Sequence, residues 1–201
     1  MDYKTFVPKI KNKFRIINIP LNLNLIYNLK RKNYFFVENK ETQENCYILL
    51  PYFLDFQFIE NNSKIKFNIK DIYKIYKASY MMLYTFTSKF LNEIKGISEL
   101  YRGTINIQGL GYSVQITKLK NSYYSLFFRF GFKDKYTYIM PKNIIIENME
   151  TAKTKIILLC KNLELLKKVQ LQIQLLRRPK AFKLQGIYLN DFFPKVKKFI
   201  K

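Results

Sequence analysis

The chain has 201 residues, of which 36 are Lys or Arg and 14 are Asp or Glu, so its formal charge is +22. Its hydrophobic fraction of 48% excludes a disordered polyelectrolyte and is large enough for a folded core. The absence of histidine excludes Ser-His and Cys-His catalysis and histidine metal ligands. A compact domain with this charge repels itself unless a polyanion neutralises it, and the two candidates are nucleic acid and an anionic membrane surface.

The first half of the chain predicts a series of strands followed by one helix. Leu and Asn alternate at the start of residues 21–29, which is the period of a half-buried strand, and further strand-like runs continue to residue 69. After Asp71, a suitable N-cap, apolar residues recur at steps of three and four. We therefore predict a helix from 72 to about 92, closed near Gly96.

The second half repeats this order. Strand-like runs extend from "GTINIQ" to "TKIILLC", and residues 162–178 then show a helical apolar face between the N-cap Asn162 and Pro179. Strands followed by a helix, written twice, predict the α+β class with two tandem similar domains, each an antiparallel sheet packed by one helix. The expected divisions are an N-terminal extension over 1–13, domains over 14–95 and 96–178, and a basic C-terminal tail over 179–201.

All six glycines lie at position 96 or later, and glycine lets a partner approach the backbone closely. The stretch "QGLGY" (108–112) lacks the third glycine and the following helix of a dinucleotide-binding fingerprint. We interpret it as a hairpin turn between "TINIQ" and "YSVQIT", which nucleic acid could approach. Glu38, Glu41 and Glu44 would repel a polyanion from the first half, so the second half is the better candidate for the contact.

The C-terminal region carries an excess of cations. From residue 161 onward there are eleven Lys or Arg and two acidic residues. The helix dipole accounts for Arg177 and Arg178 but not for the lysines beyond them. Aromatic residues among these lysines can either pin the segment to the protein or stack on unpaired bases. We interpret the tail as nucleic-acid-binding and expect it to be unordered without its partner.

Other functions have little support in the sequence. Cys46 and Cys160 are isolated, so neither a zinc pattern nor a disulfide framework is present, and no paired carboxylates form a magnesium motif. We expect no metal, no cofactor, no small-molecule substrate and no enzyme activity. The longest apolar run, 47–54, is too short to insert into a bilayer. The N-terminus shows no presequence, and the Lys-, Asn- and Ile-rich composition is typical of an A/T-rich genome.

Residues 104–201 resemble the large-subunit ribosomal protein six family. "GLGYSVQI" is similar to the GxGY-containing loop and strand of that family, and "LRRPKAFKLQGIYLND" is similar to its RxPExYKGKGIxY segment. The sequence departs from the family pattern at Lys180, where Glu is usual, and at Leu184 and Gln185, where Gly-Lys is usual. The resemblance implies two similar sheet-plus-helix domains that arose by duplication.

The resemblance also implies a structural constituent of the large ribosomal subunit, bound to large-subunit rRNA near the sarcin-ricin region and beside neighbouring ribosomal proteins. The composition suits the mitochondrial matrix, with a plastid or the bacterial cytoplasm as alternatives. A free-standing basic RNA-binding or RNA-processing factor and a peripheral membrane protein remain open. The expected rRNA-binding residues come from the glycine turn, the end of the second helix and the tail: Gly109, Gly111, Tyr112, Arg177, Arg178, Pro179, Lys180, Lys183, Gly186, Lys195, Lys197, Lys198 and Lys201.

Overall fold

The residues with a defined structure fall into two compact units, divided between Ser98 and Glu99. Within them, each unit combines two antiparallel sheets with one α-helix, which confirms the α+β class and the two similar domains. The second sheet in each unit was not foreseen, because alternation identifies a strand but not its hydrogen-bonding neighbour. The computed structural model describes residues 14–28, 33–59, 63–74, 77–119, 123–131, 134–147, 154–180 and 182–190.

The first unit begins with strands that the sequence predicted. In its described part, six strands precede a single long helix, and every strand overlaps a run that the sequence marked as strand-like. The elements are β1 (Phe14–Asn18), β2 (Leu23–Asn28), β3 (Tyr34–Asn39), β4 (Asn45–Leu49), β5 (Leu54–Ile59), β6 (Lys64–Ile69) and α1 (Lys77–Ser98).

Helix α1 packs against both sheets of the first unit. One sheet is the meander β2-β3-β4, and the other has the order β1-β6-β5. Phe90 of α1 lies between them, with its ring centroid 5.4 Å from Phe35 of β3 and 5.2 Å from Phe67 of β6. All three rings are fully buried. Burial of such aromatic side chains is the main favourable contribution to this core.

Helix α1 begins and ends later than the sequence predicted. Asp71, expected as its N-cap, instead begins a short 3-10 turn, Asp71–Tyr73, and α1 starts at Lys77. The helix also continues past Gly96 to Ser98. A glycine inside a helix costs only about 1 kcal/mol relative to alanine. The burial of Ile97 in the core offsets that cost, so the predicted end near Gly96 is wrong.

The second unit has the same series of elements with one strand added at its end. Its sheets are the meander β8-β9-β10 and a four-stranded sheet of order β11-β12-β7-β13. The elements are β7 (Tyr101–Gln108), β8 (Tyr112–Lys118), β9 (Tyr124–Phe130), β10 (Asp134–Ile139), β11 (Ile144–Ile146), β12 (Lys155–Cys160), α2 (Leu163–Leu176) and β13 (Gly186–Leu189).

Helix α2 forms as the sequence predicted. The side chain of Asn162 accepts a hydrogen bond from the Leu165 N–H over 3.0 Å, so the predicted N-cap is confirmed. Leu166, Val169 and Ile173 are buried on one face of the helix. Their spacing of three and four residues is the helical period that identified this face.

Strand β13 lies in the tail that was expected to be unordered, so that expectation is wrong for residues 186–189. The strand pairs antiparallel with β7, from Gly186 opposite Gln108 to Leu189 opposite Ile105. Residues 186–189 lack the alternation of apolar and polar side chains by which a half-buried strand is recognised. The predicted N-terminal extension over 1–13 and residues 191–201 lie outside the described residues.

Candidate nucleic-acid interface

Residues 109–112 form the predicted turn, but the turn does not belong to a hairpin. The Tyr112 N–H donates to the Gly109 carbonyl oxygen over 3.2 Å, and Gly111 has a φ of +72°, which favours glycine. Leu110 at the apex is 91% exposed. Strands β7 and β8 belong to different sheets, so the turn carries the chain from one sheet to the other. The predicted hairpin is therefore wrong.

The side chain of Tyr112 connects this turn to the end of α2. Its ring covers Gly109 so closely that a Cβ on that glycine would lie 2.7 Å from ring carbons. The ring centroid is 5.2 Å from that of Phe130. The Tyr112 hydroxyl oxygen accepts a hydrogen bond from Arg177 Nε over 3.1 Å. The turn and the residue that follows α2, 65 positions apart in the chain, are thus in direct contact.

Arg177 is held by two partners. Besides its bond to Tyr112, its guanidinium lies 3.6 Å from a carboxylate oxygen of Asp134 on β10. The hydrogen bond to Tyr112 is the main reason that the pKa of Arg177 is raised, and the Asp134 carboxylate adds to it. Arg177 therefore links the end of α2 to Tyr112 and to Asp134, a structural role that its position at a helix end did not reveal.

The chain after α2 folds back before it enters β13. The Ile187 N–H donates to the Arg177 carbonyl oxygen over 2.9 Å, which brings the two ends of the connection together. Gly186 is buried and has a φ of +138°. A Cβ at Gly186 would lie 2.6 Å from Pro179 Cα, so only glycine fits there. Gly186 and Pro179 thus pack against each other and close the loop.

We call residues 178–185 the basic loop. Its Arg178, Lys180 and Lys183 side chains are exposed, and its sequence contains no acidic residue. A hydrogen bond of 3.0 Å from the Lys180 N–H to the Gln185 carbonyl oxygen closes it from within. Phe182 is 47% exposed on the same loop. Three cations and an exposed aromatic ring on a loop held at its base are groups that can contact phosphates and unpaired bases.

The structure separates the predicted site residues into groups. Arg178, Lys180 and Lys183 project from the basic loop, whereas Tyr112 and Arg177 bind each other beneath it. Tyr188, an aromatic residue of the tail for which pinning and stacking were both open, is buried and therefore not available to stack on bases. Gly109 and Gly111 belong to the turn, and Gly186 begins β13 at the end of the basic loop. Four predicted lysines lie outside the described residues: Lys195, Lys197, Lys198 and Lys201.

Sequence reasoning missed the polar residues that hold β13 in place. Gln170 Nε2 donates to the Asn190 side-chain oxygen over 2.9 Å, and Gln174 Nε2 donates to the Ile187 carbonyl oxygen over 3.3 Å. Gln170 is buried, and it shares the apolar face of α2 with Ile173. Two glutamines four residues apart beside that face were the signal, because a buried polar side chain needs a hydrogen-bond partner.

No group of three Asp, Glu or Cys side chains in the described part of the chain could hold a metal ion. No helix there is long and apolar enough to cross a membrane.

Comparison with known proteins identifies relatives for the chain. No protein-family model matches it. Large ribosomal subunit protein uL6m of Reclinomonas americana is 30% identical over 116 residues, which are 57% of this chain and 58% of that protein. Large ribosomal subunit protein uL6 of Saccharophagus degradans is 27% identical over 133 residues, or 66% and 70% of the two chains. The uL6 protein of Karelsulcia muelleri is 29% identical over 186 residues, or 89% and 93%.

The three relatives bear one family name, and the longest match includes parts of both units because it covers 186 residues. Together with the duplicated fold, these matches support the resemblance of the chain to the uL6 family of large-subunit ribosomal proteins. The match to the Reclinomonas protein spans 58% of that relative's length. None of the three names is that of an enzyme, which agrees with the expectation that this chain is not one.

Proposed function

We propose that the chain is a structural constituent of a large ribosomal subunit and binds large-subunit rRNA through the basic loop and the turn 109–112. The observation that carries this proposal is the hydrogen bond between Arg177 and Tyr112, which joins the base of the loop to the turn. The names of the three relatives support the ribosomal assignment.

The proposed interface binds RNA by charge and shape. Arg178, Lys180 and Lys183 neutralise phosphates, and a formal charge of +22 favours association with a polyanion throughout the chain. The exposed Gly111 allows a close approach of the RNA backbone beside Leu110. A-form RNA exposes its backbone and 2′-hydroxyls more readily than its base edges, so little base specificity follows. The region contacted is the one near the sarcin-ricin loop, as the family resemblance implied.

The proposed location is the mitochondrial ribosome. A relative named uL6m supports it, as does an amino-acid composition typical of an A/T-rich genome. The two relatives named uL6 leave a bacterial ribosome as the alternative. The proposed partners are therefore large-subunit rRNA and neighbouring ribosomal proteins.

Sedimentation of the native protein in gradients at low and moderate salt tests the assignment. We expect the chain to migrate with the large subunit and to remain there after a moderate-salt wash. Migration at the top of the gradient, free of rRNA at low salt, would refute the assignment and favour a free-standing RNA-binding factor.

A further inference from the structure

The outer face of the β2-β3-β4 sheet, which points away from α1 and the core, is unusually apolar. Side chains alternate along each strand, and the strand register aligns the outward ones in rows across the sheet. Ile26, Phe36 and Tyr47 form the central row. We call the surface of these eight outward residues the apolar face: Asn24, Ile26, Tyr34, Phe36, Glu38, Asn45, Tyr47 and Leu49.

Several large side chains of the apolar face are exposed to solvent. Ile26 is 56% exposed, Tyr47 is 67% exposed and Leu49 is 64% exposed. The Tyr47 ring is already fixed among its neighbours, with its centroid 5.4 Å from that of Tyr34 and 5.2 Å from that of Phe36. A contiguous exposed apolar patch of this kind marks an interaction site, and ordered aromatic rings lose little entropy when a partner covers them.

The charges of the apolar face restrict its partner. None of its eight residues is Lys or Arg, although 36 of the 201 residues of the chain are, and its one ionisable acid is Glu38. RNA phosphates are bound through cations, so this face does not suit RNA. Two copies of a chain with a charge of +22 repel each other, so a second copy does not suit it either.

The other sheet of the same unit shows that the pattern is local. On the outward side of β1-β6-β5, Lys64 and Lys66 occupy the central strand, and the Lys66 ammonium lies 4.3 Å from the ring centroid of Phe14. An exposed aromatic ring there is covered by a cation of the same chain. On the apolar face, by contrast, the Tyr47 ring packs against the rings of Tyr34 and Phe36.

We propose that the apolar face docks another protein of the large subunit. The partner presents aliphatic or aromatic side chains that cover Ile26, Tyr47 and Leu49, with a lysine or arginine placed to pair with Glu38. The ribosomal setting rests on the proposed function, whereas the chemistry of the partner rests on the exposure and charge of this face.

Site-specific photo-crosslinking tests the docking. Tyr47 is replaced by p-benzoylphenylalanine in one variant and Phe182 of the basic loop in a matched control, and each is incorporated into large subunits that are purified and salt-washed. Both positions are exposed, so neither replacement disturbs a core. We expect Tyr47→p-benzoylphenylalanine to form an adduct with a protein peptide rich in apolar residues and containing Lys or Arg, and the control to form an adduct with rRNA.

The outcomes separate the two proposals. An adduct of position 47 with rRNA, or no adduct there while position 182 crosslinks to rRNA, overturns the docking and leaves the proposed function intact. Failure of both variants and of the unmodified chain to enter large subunits overturns both. As a second measurement, Leu49→Ser added to an Ile26→p-benzoylphenylalanine variant is expected to lower the protein adduct about tenfold, the effect of losing one apolar contact. An unchanged yield would contradict the docking.

Discussion

The two units share one framework but differ at the edge of one sheet. In the first unit the order β5-β6-β1 ends at β1 within the described residues, whereas in the second the matching order β11-β12-β7 continues to β13. The added strand comes from the chain beyond α2, and it fixes one end of the basic loop. The duplicated framework thus supplies the fold, and an appended strand on the edge of one sheet positions the proposed RNA-binding groups.

The three-stranded meanders of the two units differ in the side chains on their outward faces. The central outward row of the first is Ile26, Phe36 and Tyr47, while the matching face of the second carries Arg129 and Lys135 opposite each other. The backbone arrangement is common, so the contrast lies in the side chains alone. The contrast agrees with the two proposals made above, a protein partner for the first unit and a polyanion for the second.

The largest expected effect is that of Gly186→Ala, which tests whether β13 truly completes the second unit. The new Cβ would clash with Pro179 at a backbone φ of +138°, so we expect a loss of about 3 kcal/mol in unfolding free energy, about 150-fold in the equilibrium constant. Gly131→Ala is the control, since its φ is +82° but no atom lies within 4 Å of its Cβ, and it is expected to cost about 1 kcal/mol. Urea unfolding measures both, and equal losses would contradict a tightly packed β13.

Thiol reactivity compares the core of the first unit with the turn of the second. Burial, and secondarily the charge of Glu93, raises the pKa of Cys46 to about 12, so little thiolate is present at pH 8. We expect Cys46 to react with Ellman's reagent about 100-fold more slowly than the thiol of a Leu110→Cys variant. The exposed apex of the turn makes that variant a matched control. Similar rates in the folded protein would contradict either the burial of Cys46 or the exposure of position 110.

Charge reversal tests which cations of the second unit contact rRNA. We expect Arg178→Glu with Lys180→Glu to weaken binding to large-subunit rRNA about 30-fold at moderate salt and to lower the salt-dependence slope by about 2. Lys167→Glu with Lys168→Glu makes the same charge change on the exposed side of α2 and is expected to have a much smaller effect. Filter binding across a salt series measures both. Equal weakening would mean that total charge, not the basic loop, determines affinity.

The smallest expected effect distinguishes the two adjacent arginines. Arg177→Gln loses the bond to Tyr112 and the ion pair with Asp134, so we expect about 1 kcal/mol lower unfolding free energy, about fivefold in the equilibrium constant. Arg178→Gln, at an exposed position, is expected to leave stability nearly unchanged. A double-mutant cycle of Arg177→Gln and Tyr112→Phe should then show coupling. Additive effects of the two substitutions would contradict an energetic link between the turn and the basic loop.

Local features were predictable because they depend on neighbouring residues. Asn162 accepts the expected hydrogen bond at the start of α2, and the alternation of Leu and Asn near residue 23 marks β2. The end of α1 was predicted wrongly because it depends on the burial of Ile97 in the core of the first unit. The sequence around Gly96 does not show that burial. The charge of the basic loop was recognised from the sequence. The sequence did not distinguish the structural contacts of Arg177 from the exposed position of Arg178.

What the sequence alone determined is the kind and order of most elements, the repeated series of strands followed by a helix, the excess of positive charge and the family resemblance, since period, composition and motif are properties of short stretches. The tertiary structure decided which strands share a sheet, that Ile187 and Tyr188 are buried in β13, and that Arg177 binds Tyr112. These features depend on contacts between residues tens of positions apart. A pattern of hydrophobicity or charge states which side chains need partners, but only the folded chain determines which partners they meet.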